Sequence, residues 1–317
     1  MKKILITGAH GFIGQSLCNA LVLNDLSVTG TVRYLNKSLS SNCSSKIQYQ
    51  SSGDINSQTN WLDILAGHDC VVHCAGSAHI FNKKKDMLET YNSVNVEGTR
   101  RLAEQMVIAR VKRLIFLSSI GVNGSDTNGR KAFSVYDNPN PTEEYAFSKY
   151  KAEQALIEIS KKTGLEIVIL RMPLVYGKGA KGNFSRLNKI ILSGIPLPFS
   201  LVKNQRSFLG IDNLVDVILK CIKKENIASR IFLVSDGEDL STPDLIHYMT
   251  ISMGRSSRLF PFPLSFLKFI GLILGMQREV DKLLVTLQVD SSETYKILNW
   301  TPKVSVAEGI KRMILDK

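Results

Sequence analysis

Residues 3–14, KILITGAHGFIG, join a short apolar run to three glycines at positions 8, 11 and 14, and then open a second apolar pattern, FIGQSLCNALVL, with helical spacing. A buried strand that turns at once into a helix must reverse direction within a few residues, and residues without a Cβ allow it. They also let the backbone approach a bound group closely. The first amides of a helix have no partner inside it and present positive charge to an anion. Gly8, Gly11 and Gly14, with Phe12 and Ile13 in the first turn, therefore predict a pyrophosphate site. A glycine triplet alone fits any tight turn; strand, spaced glycines and helix together make a dinucleotide the expected guest.

Outward from this turn the chain alternates strand-like and helical runs: LSVTGTVR at 26–33, CVVHCAG at 70–76, a helical region near 87–110, RLIFLSS at 113–119 and EIVILR at 166–171. Such alternation predicts an α/β fold with a doubly wound parallel sheet. Past Pro173 the rhythm gives way to Gly- and Pro-bearing stretches, GKGAKGNF and SGIPLPFSLVKNQRSF, before IDNLVDVILKCI and RIFLVSD restore helix and strand. The expected division is a nucleotide-binding domain over 1–172, rejoined by 206–236, and a smaller α+β substrate-binding lobe from 173–205 and 237–317.

Composition narrows the partners. With 317 residues, 44% hydrophobic and 21% charged, the chain can bury a sizeable core. Its net charge of +12 invites a polyanion, but the cations are scattered, with KKK at 83–85 the only tight run, and no zinc-finger or RNA-binding signature accompanies them. No nucleic-acid partner is expected; phosphates on a small ligand suffice. Five cysteines without CxxC spacing fit reduced thiols in a cytoplasmic protein and no metal site. The N-terminal apolar run is broken by Thr7, Gly8 and His10, unlike a signal peptide. LFPFPLSFLKFIGLILG at 259–275 is short for a membrane span and carries two prolines and Lys268. A buried or lobe-packing helix after Pro263 is expected there, with interfacial membrane contact as the alternative.

At the end of the second strand, where an acidic side chain usually bonds the ribose hydroxyls of NAD, stands Arg33, with Lys37 close behind. An arginine there attracts a 2′-phosphate, so NADP is favoured over NAD. In EYAFSKYKAEQ, residues 144–154, Tyr145 and Lys149 lie one helical turn apart and project to the same side. Taken alone they are a surface pair.

The motifs TGAHGFIG, GDI at 53–55, VVHCAG at 71–76, NVEGTR at 95–100, LSSIGVNG at 117–124 and YAFSK, in this order, resemble the extended short-chain dehydrogenase/reductase family, and within it the UDP-glucose 4-epimerase branch. LRMPLVYGKG at 170–179, NQRSFLGIDNLVD at 204–216 and LNWTPKVSVAEGI at 298–310 extend the resemblance almost end to end. The resemblance implies a Rossmann-type NAD(P)-binding domain. It implies a catalytic trio of Ser119, Tyr145 and Lys149, with Lys149 favouring the Tyr145 phenolate and holding the nicotinamide ribose. It places Asp54 and Ile55 at the adenine, Ala75, Gly76 and His79 along the cofactor channel, Asn95 as a brace for the active-site helix, and Ser118 and Pro173 beside the cofactor. For the substrate it implies Arg206 on the nucleotide diphosphate, and Asn183, Pro198 and Phe199 near the phosphates and uracil. A homodimer built partly on the tyrosine helix is implied as well.

Family members that dehydrate sugars carry an acidic pair directly after the serine or threonine, because elimination needs an acid and a base at adjacent carbons. Here those positions are Ile120 and Gly121. What remains is chemistry at C4 of a UDP-hexose or UDP-N-acetylhexosamine. Arg33 favours an NADPH-dependent reduction of a UDP-4-keto-6-deoxy-N-acetylhexosamine, as in relatives from bacterial surface-polysaccharide pathways. A 4-epimerase retaining NAD is the alternative, and a non-catalytic dinucleotide sensor or scaffold is the reading from a different class.

Overall fold

The structure is a computed structural model that describes residues 2–35, 46–78, 84–180, 182–227 and 229–315. His79 and Lys37 lie outside the described residues, and so does Cys43.

Ten strands and twelve α-helices are found among the described residues. The strands are β1 (Lys3–Thr7), β2 (Ser27–Val32), β3 (Ile47–Ser51), β4 (Cys70–His73), β5 (Arg113–Ser119), β6 (Glu166–Met172), β7 (Leu174–Tyr176), β8 (Arg206–Gly210), β9 (Arg230–Leu233) and β10 (Asp239–Leu240). In the first half the helices are α1 (Phe12–Leu23), α2 (Leu62–Leu65), α3 (Lys84–Thr90), α4 (Gly98–Ile108) and α5 (Glu144–Thr163). Then come α6 (Asn183–Ser193), α7 (Ile211–Lys223), α8 (Thr242–Ser252), α9 (Leu264–Ile273), α10 (Gln277–Leu284), α11 (Ser292–Leu298) and α12 (Val306–Leu315).

Seven strands form one parallel sheet in the order β3-β2-β1-β4-β5-β6-β9. The order reverses between β1 and β4, and at such a switch point the crossovers leave to opposite faces and open a crevice beyond the strand ends. This is the doubly wound, Rossmann-type sheet that the alternation predicts. The central strands β1, β4, β5 and β6 are mainly apolar because side chains alternate to both covered faces. In β1, Ile4 and Ile6 face a core shared with α1 and α7, while Leu5 faces a second core shared with α4 and α5. Each such fully buried side chain contributes about 1.5–3 kcal/mol over leaving it in water.

A smaller sheet, β10-β8-β7, pairs β8 parallel to β7 and antiparallel to β10. Its core gathers Tyr176, Phe184, Phe208, Ile246, Met249 and Ile310. β9, which follows α7, sits in the large sheet beside β6.

Two segments differ in part from their sequence expectation. The helical region near 87–110 is not one regular helix: between α3 and α4 the turns widen to a π-helix over Tyr91–Glu97. The wide turns bury Tyr91 and Asn95, and such insertions concentrate at functional sites. The helix after Pro263 forms and packs on the lobe, one of the two expected outcomes, but little of it is buried. Only Leu267 and Gly271 of α9 are covered, one narrow i, i+4 stripe.

Candidate active site

The glycine turn is built as the sequence requires. Gly8 adopts φ +66°, and a Cβ there would lie 2.8 Å from the Ala75 Cα. A Cβ on Gly14 would lie 2.2 Å from the Gly8 carbonyl oxygen, so α1 can sit this close to the end of β1 only with glycine there. Gly11 is the N-terminal cap of α1 and offers no side chain to the first turn, which leaves the amides of Phe12 and Ile13 without a side-chain cap. The chemistry of this cradle, backbone donors beside a space no side chain fills, fits the pyrophosphate of a dinucleotide.

β4 closes the cradle from the other side. Thr7 Oγ1 accepts from the Ala75 amide at 3.2 Å and pairs with His73 Nδ1 at 2.7 Å, while His73 Nε2 meets Thr99 Oγ1 at 3.1 Å. Burial pushes His73 down to about 3, so it stays neutral and works as a strut. Sequence reasoning missed both Thr7 and His73. Their signal was a polar pair at matched C-terminal positions of adjacent strands, Thr7 beside His73.

Gly76 brings the loop after β4 up to α5. A Cβ on it would meet Asn95 Oδ1 at 3.3 Å and Lys149 Nζ at 3.4 Å. Asn95 accepts from the Ser77 amide at 2.8 Å and donates to Ser77 O and to Ser148 Oγ, both at 3.0 Å. Asn95 thus ties the loop after β4 to α5. Lys149 is buried and donates to Leu117 O at 2.9 Å, and its Nζ lies 5.9 Å from the centre of the Tyr145 ring. Ser119 ends β5, and its Oγ accepts from the Gly121 amide at 3.1 Å. A Cβ on Gly121 would meet both Ser119 Oγ, at 3.3 Å, and Ala146 Cβ, at 3.2 Å, so the strand end faces the first turn of α5. Ser119, Tyr145 and Lys149 therefore gather at the crevice beside the glycine turn.

Electrostatics differ from the simple expectation that Lys149 lowers the phenol. Burial pushes Tyr145 up to about 12, with Tyr91 adding to the rise, and pushes Lys149 down to about 8. Both shifts have one cause: an enclosed site disfavours the charged form of each group. Beside the buried phenol the lysine does not outweigh that cost.

Beneath the trio lies a buried ion network that sequence reasoning also missed. Arg171 donates through Nη2 to Glu153 Oε2 at 2.6 Å and through Nη1 to Asn123 Oδ1 at 3.0 Å, and Ser118 Oγ donates to Glu153 Oε1 at 2.5 Å. Ser118 thus turns toward Glu153. Glu153 follows Lys149 by four residues, as Lys149 follows Tyr145, and its carboxylate is the leading influence supporting the Lys149 charge against burial. That spacing was the available signal.

The remaining expected residues lie further out. Asp54 is exposed and accepts from Arg33 Nε at 2.8 Å, while Ile55 packs against the α4 and α5 core. Arg33 is therefore not a free cation; its guanidinium is held by the carboxylate expected at the adenine. Pro173 is buried between β6 and β7. Arg206 opens β8 and donates to Lys282 O, and its Nε is buried without a partner. Asn183 begins α6, Pro198 is half-buried, and Phe199 packs in the core of the small sheet at 9% exposure. Among the described residues no cluster of His, Cys, Asp and Glu could hold a metal ion.

Comparison with known proteins agrees with this geometry. The pattern of the NAD dependent epimerase/dehydratase family matches residues 4–235. A UDP-glucose 4-epimerase of Vibrio cholerae is 40% identical over 314 residues, covering 98% of this chain and 94% of that one. An N-acetyl-alpha-D-glucosaminyl-diphospho-ditrans,octacis-undecaprenol 4-epimerase of Escherichia coli O157:H7 is 26% identical, with 98% and 94% covered. The crystal structure of a UDP-glucuronic acid 4-epimerase from Bacillus cereus in complex with NAD superposes with a TM-score of 0.80 at 25% identity, covering 98% of this chain and 97% of that one. With a family pattern over most of its length and a relative this similar end to end, the chain belongs to the NAD dependent epimerase/dehydratase family.

Proposed function

We propose that this protein is a nucleotide-sugar 4-epimerase that inverts C4 of a UDP-hexose or UDP-N-acetylhexosamine with NAD. The observation that carries the reading is the gathering of Ser119, Tyr145 and Lys149 at the crevice that begins with the glycine turn. A bound nicotinamide would accept a hydride from C4 and return it to the other face. The chain's own residues do the rest. Tyr145 takes the proton of the C4 hydroxyl as the carbonyl forms and gives it back as the alcohol is restored. Ser119 Oγ hydrogen-bonds the same oxygen. Lys149, charged below about pH 8, stabilises the phenolate while Tyr145 has given up its proton.

Gly8, Gly11, Phe12, Ile13 and Gly14 would hold the pyrophosphate, Asp54 and Ile55 the adenosine, and Ala75, Gly76, Asn95, Ser118 and Pro173 the path to the nicotinamide. On the substrate side the orphaned Nε of Arg206 suits a diphosphate oxygen, which would satisfy it. A diphosphate is also common to the substrates that the names of the Vibrio cholerae and Escherichia coli relatives imply. Asn183, Pro198 and Phe199 remain the proposed contacts to the rest of the nucleotide. Two copies are proposed to pair through α4 and α5, where Phe147 is 46% exposed; sedimentation tests this.

One observation favours a second reading. Arg33 stands exposed at the end of β2, and a 2′-phosphate could draw it from Asp54, so NADPH-dependent reduction of a UDP-4-keto-6-deoxy-N-acetylhexosamine is the competitor. One experiment separates them. Nucleotide released from the purified, denatured protein is identified, and the native protein is offered UDP-sugars and a UDP-4-keto-sugar. Retained NAD with interconversion of C4 epimers supports the epimerase. NADPH consumption with the ketone alone transfers the assignment to the reductase. No turnover with any sugar leaves a non-catalytic dinucleotide binder.

A further inference from the structure

Helix α9 spends its apolar residues on solvent. Phe266, Phe269, Leu272 and Ile273 are each more than half exposed, and so is Leu274 immediately after. A single row of contact, through Leu267 and Gly271, holds the helix to the lobe, while the other faces are greasy and open. A helix that is apolar on nearly every side belongs in a core or against an apolar phase, because an exposed side chain gains nothing from the hydrophobic effect. Ten residues rise about 15 Å, half the hydrocarbon thickness of a bilayer, so α9 cannot cross one. Among the described residues no helix is long and apolar enough to do so.

Charge identifies the phase. Between Asp244 and Glu279 the sequence holds no carboxylate and four Lys or Arg: Arg255, Arg258, Lys268 and Arg278. The other main segment of this lobe, 173–205, repeats the pattern, with no carboxylate and five Lys or Arg. The two segments meet: Leu197 N donates to Arg258 O at 2.8 Å and Phe260 N to Leu197 O at 3.0 Å, and four residues later the chain enters α9. Beside this junction lies a cleft of about 370 Å³ lined by Arg255, Arg258, Thr250 and Ser256. Arg255 gives one nitrogen to Leu192 O and Arg258 one to Gly194 O, which among the described residues leaves further guanidinium donors on each.

We propose that α9 and the arginine-lined cleft form a docking surface for an anionic lipid bilayer, with the helix lying in the interface plane and the arginines on headgroup phosphates. A second copy of the chain is the poorer occupant. A twofold contact pairs a patch with itself, and these two segments supply cations with no carboxylate to receive them. Anionic headgroups supply that charge, and acyl chains accept the phenylalanines. The inference does not depend on which C4 reaction the protein performs.

Flotation of the purified full-length protein tests it, with vesicles of equal phosphatidylglycerol and phosphatidylethanolamine against vesicles of phosphatidylcholine. The protein is expected to float with the anionic vesicles, less at high salt, and at least about tenfold less with the neutral ones. Phe266→Ser/Phe269→Ser/Ile273→Ser should abolish flotation, and Arg255→Gln/Arg258→Gln should weaken it and flatten its salt dependence. Leu274→Trp provides a reading that leaves the apolar face intact, with a blue shift in emission on adding anionic vesicles. Absence of flotation and blue shift, or equal binding of the triple variant, overturns the proposal. So does self-association of the wild type that the triple variant removes while leaving no lipid binding to explain.

Discussion

Two arginine–carboxylate pairs sit at opposite ends of the same crevice. Arg171 and Glu153 lie under Ser119, Tyr145 and Lys149 with side chains 3% and 1% exposed, and every hydrogen bond that Arg171 Nε and Nη2 make goes to the one carboxylate. Arg33 and Asp54 lie at the rim, where β2 ends, with side chains 68% and 61% exposed. The chemistry of the pairs is the same and their surroundings are opposite. A buried pair has no water to fall back on, so the floor must keep its geometry. At the rim either partner can be released to solvent or to a ligand at small cost. On the proposed function, the fold holds the proton-transfer residues rigid and leaves the rim beside the cofactor adjustable.

The largest expected effect falls on the floor. Tyr145→Phe should lower turnover by about a hundred- to ten-thousandfold while NAD affinity stays close to wild type, because only the transferable proton is lost. Single-turnover rates and cofactor titration measure the two separately, and an unchanged rate would remove Tyr145 from the chemistry. Glu153→Leu should cost about 3–5 kcal/mol of folding stability, since it strands the Arg171 charge in the core. Denaturant unfolding reads it. A loss no larger than that of a rim substitution would erase the contrast between floor and rim.

The contrast is sharpened by pH. Burial holds Lys149 down at about 8, against an ordinary value of 10.5. Below pH 8 the group is charged in both folded and unfolded chains, and the folded state bears the full burial penalty. As pH rises from 8 to 10.5 the unfolded chain keeps a proton that the folded chain has shed, so stability rises, by something on the order of 3 kcal/mol. Above pH 10 the opposing shift of Tyr145 begins to count: its raised value favours the folded state below pH 10, and that advantage is lost as pH climbs to about 12. Lys149→Met should therefore be more stable than wild type at pH 7 by denaturant unfolding, with the gap closing toward pH 10, although it turns over poorly. A constant gap across that range would mean Lys149 titrates as an ordinary lysine.

Legibility in the sequence follows the range of the interaction. Local rules place α1 over FIGQSLCNALVL and β5 over RLIFLSS, because glycine turns and apolar periodicity act within a few residues. Ser119, Tyr145 and Lys149 were legible through a motif whose spacing is local in each piece. Glu153 and Arg171 were not, since a helix and a strand 18 residues apart meet only once the sheet closes. Arg33 and Asp54 were each named for the cofactor, yet their mutual contact depends on the parallel pairing of β2 with β3, which no local pattern states. The π turns around Asn95 and the openness of α9 were hidden for a related reason. Apolar content says that a segment seeks cover and does not say what covers it.

The smallest expected effect belongs to the rim, and it bears on the cofactor most directly. In Arg33→Asp two carboxylates would face each other where Arg33 now meets Asp54, in high dielectric, so folding stability should move by no more than about 1 kcal/mol. The ratio of NADP to NAD affinity should fall by about tenfold, because a 2′-phosphate would lose a cation and meet an added negative charge. Asp54→Asn releases Arg33 without adding charge and should move the ratio the other way. Titration of both dinucleotides with both variants decides whether Arg33 serves the ligand or only its neighbour. Opposite shifts would show that the pair is a selector held closed by Asp54. No shift in either variant would make it a surface contact, and the case for NADP would lose the residue on which it stands.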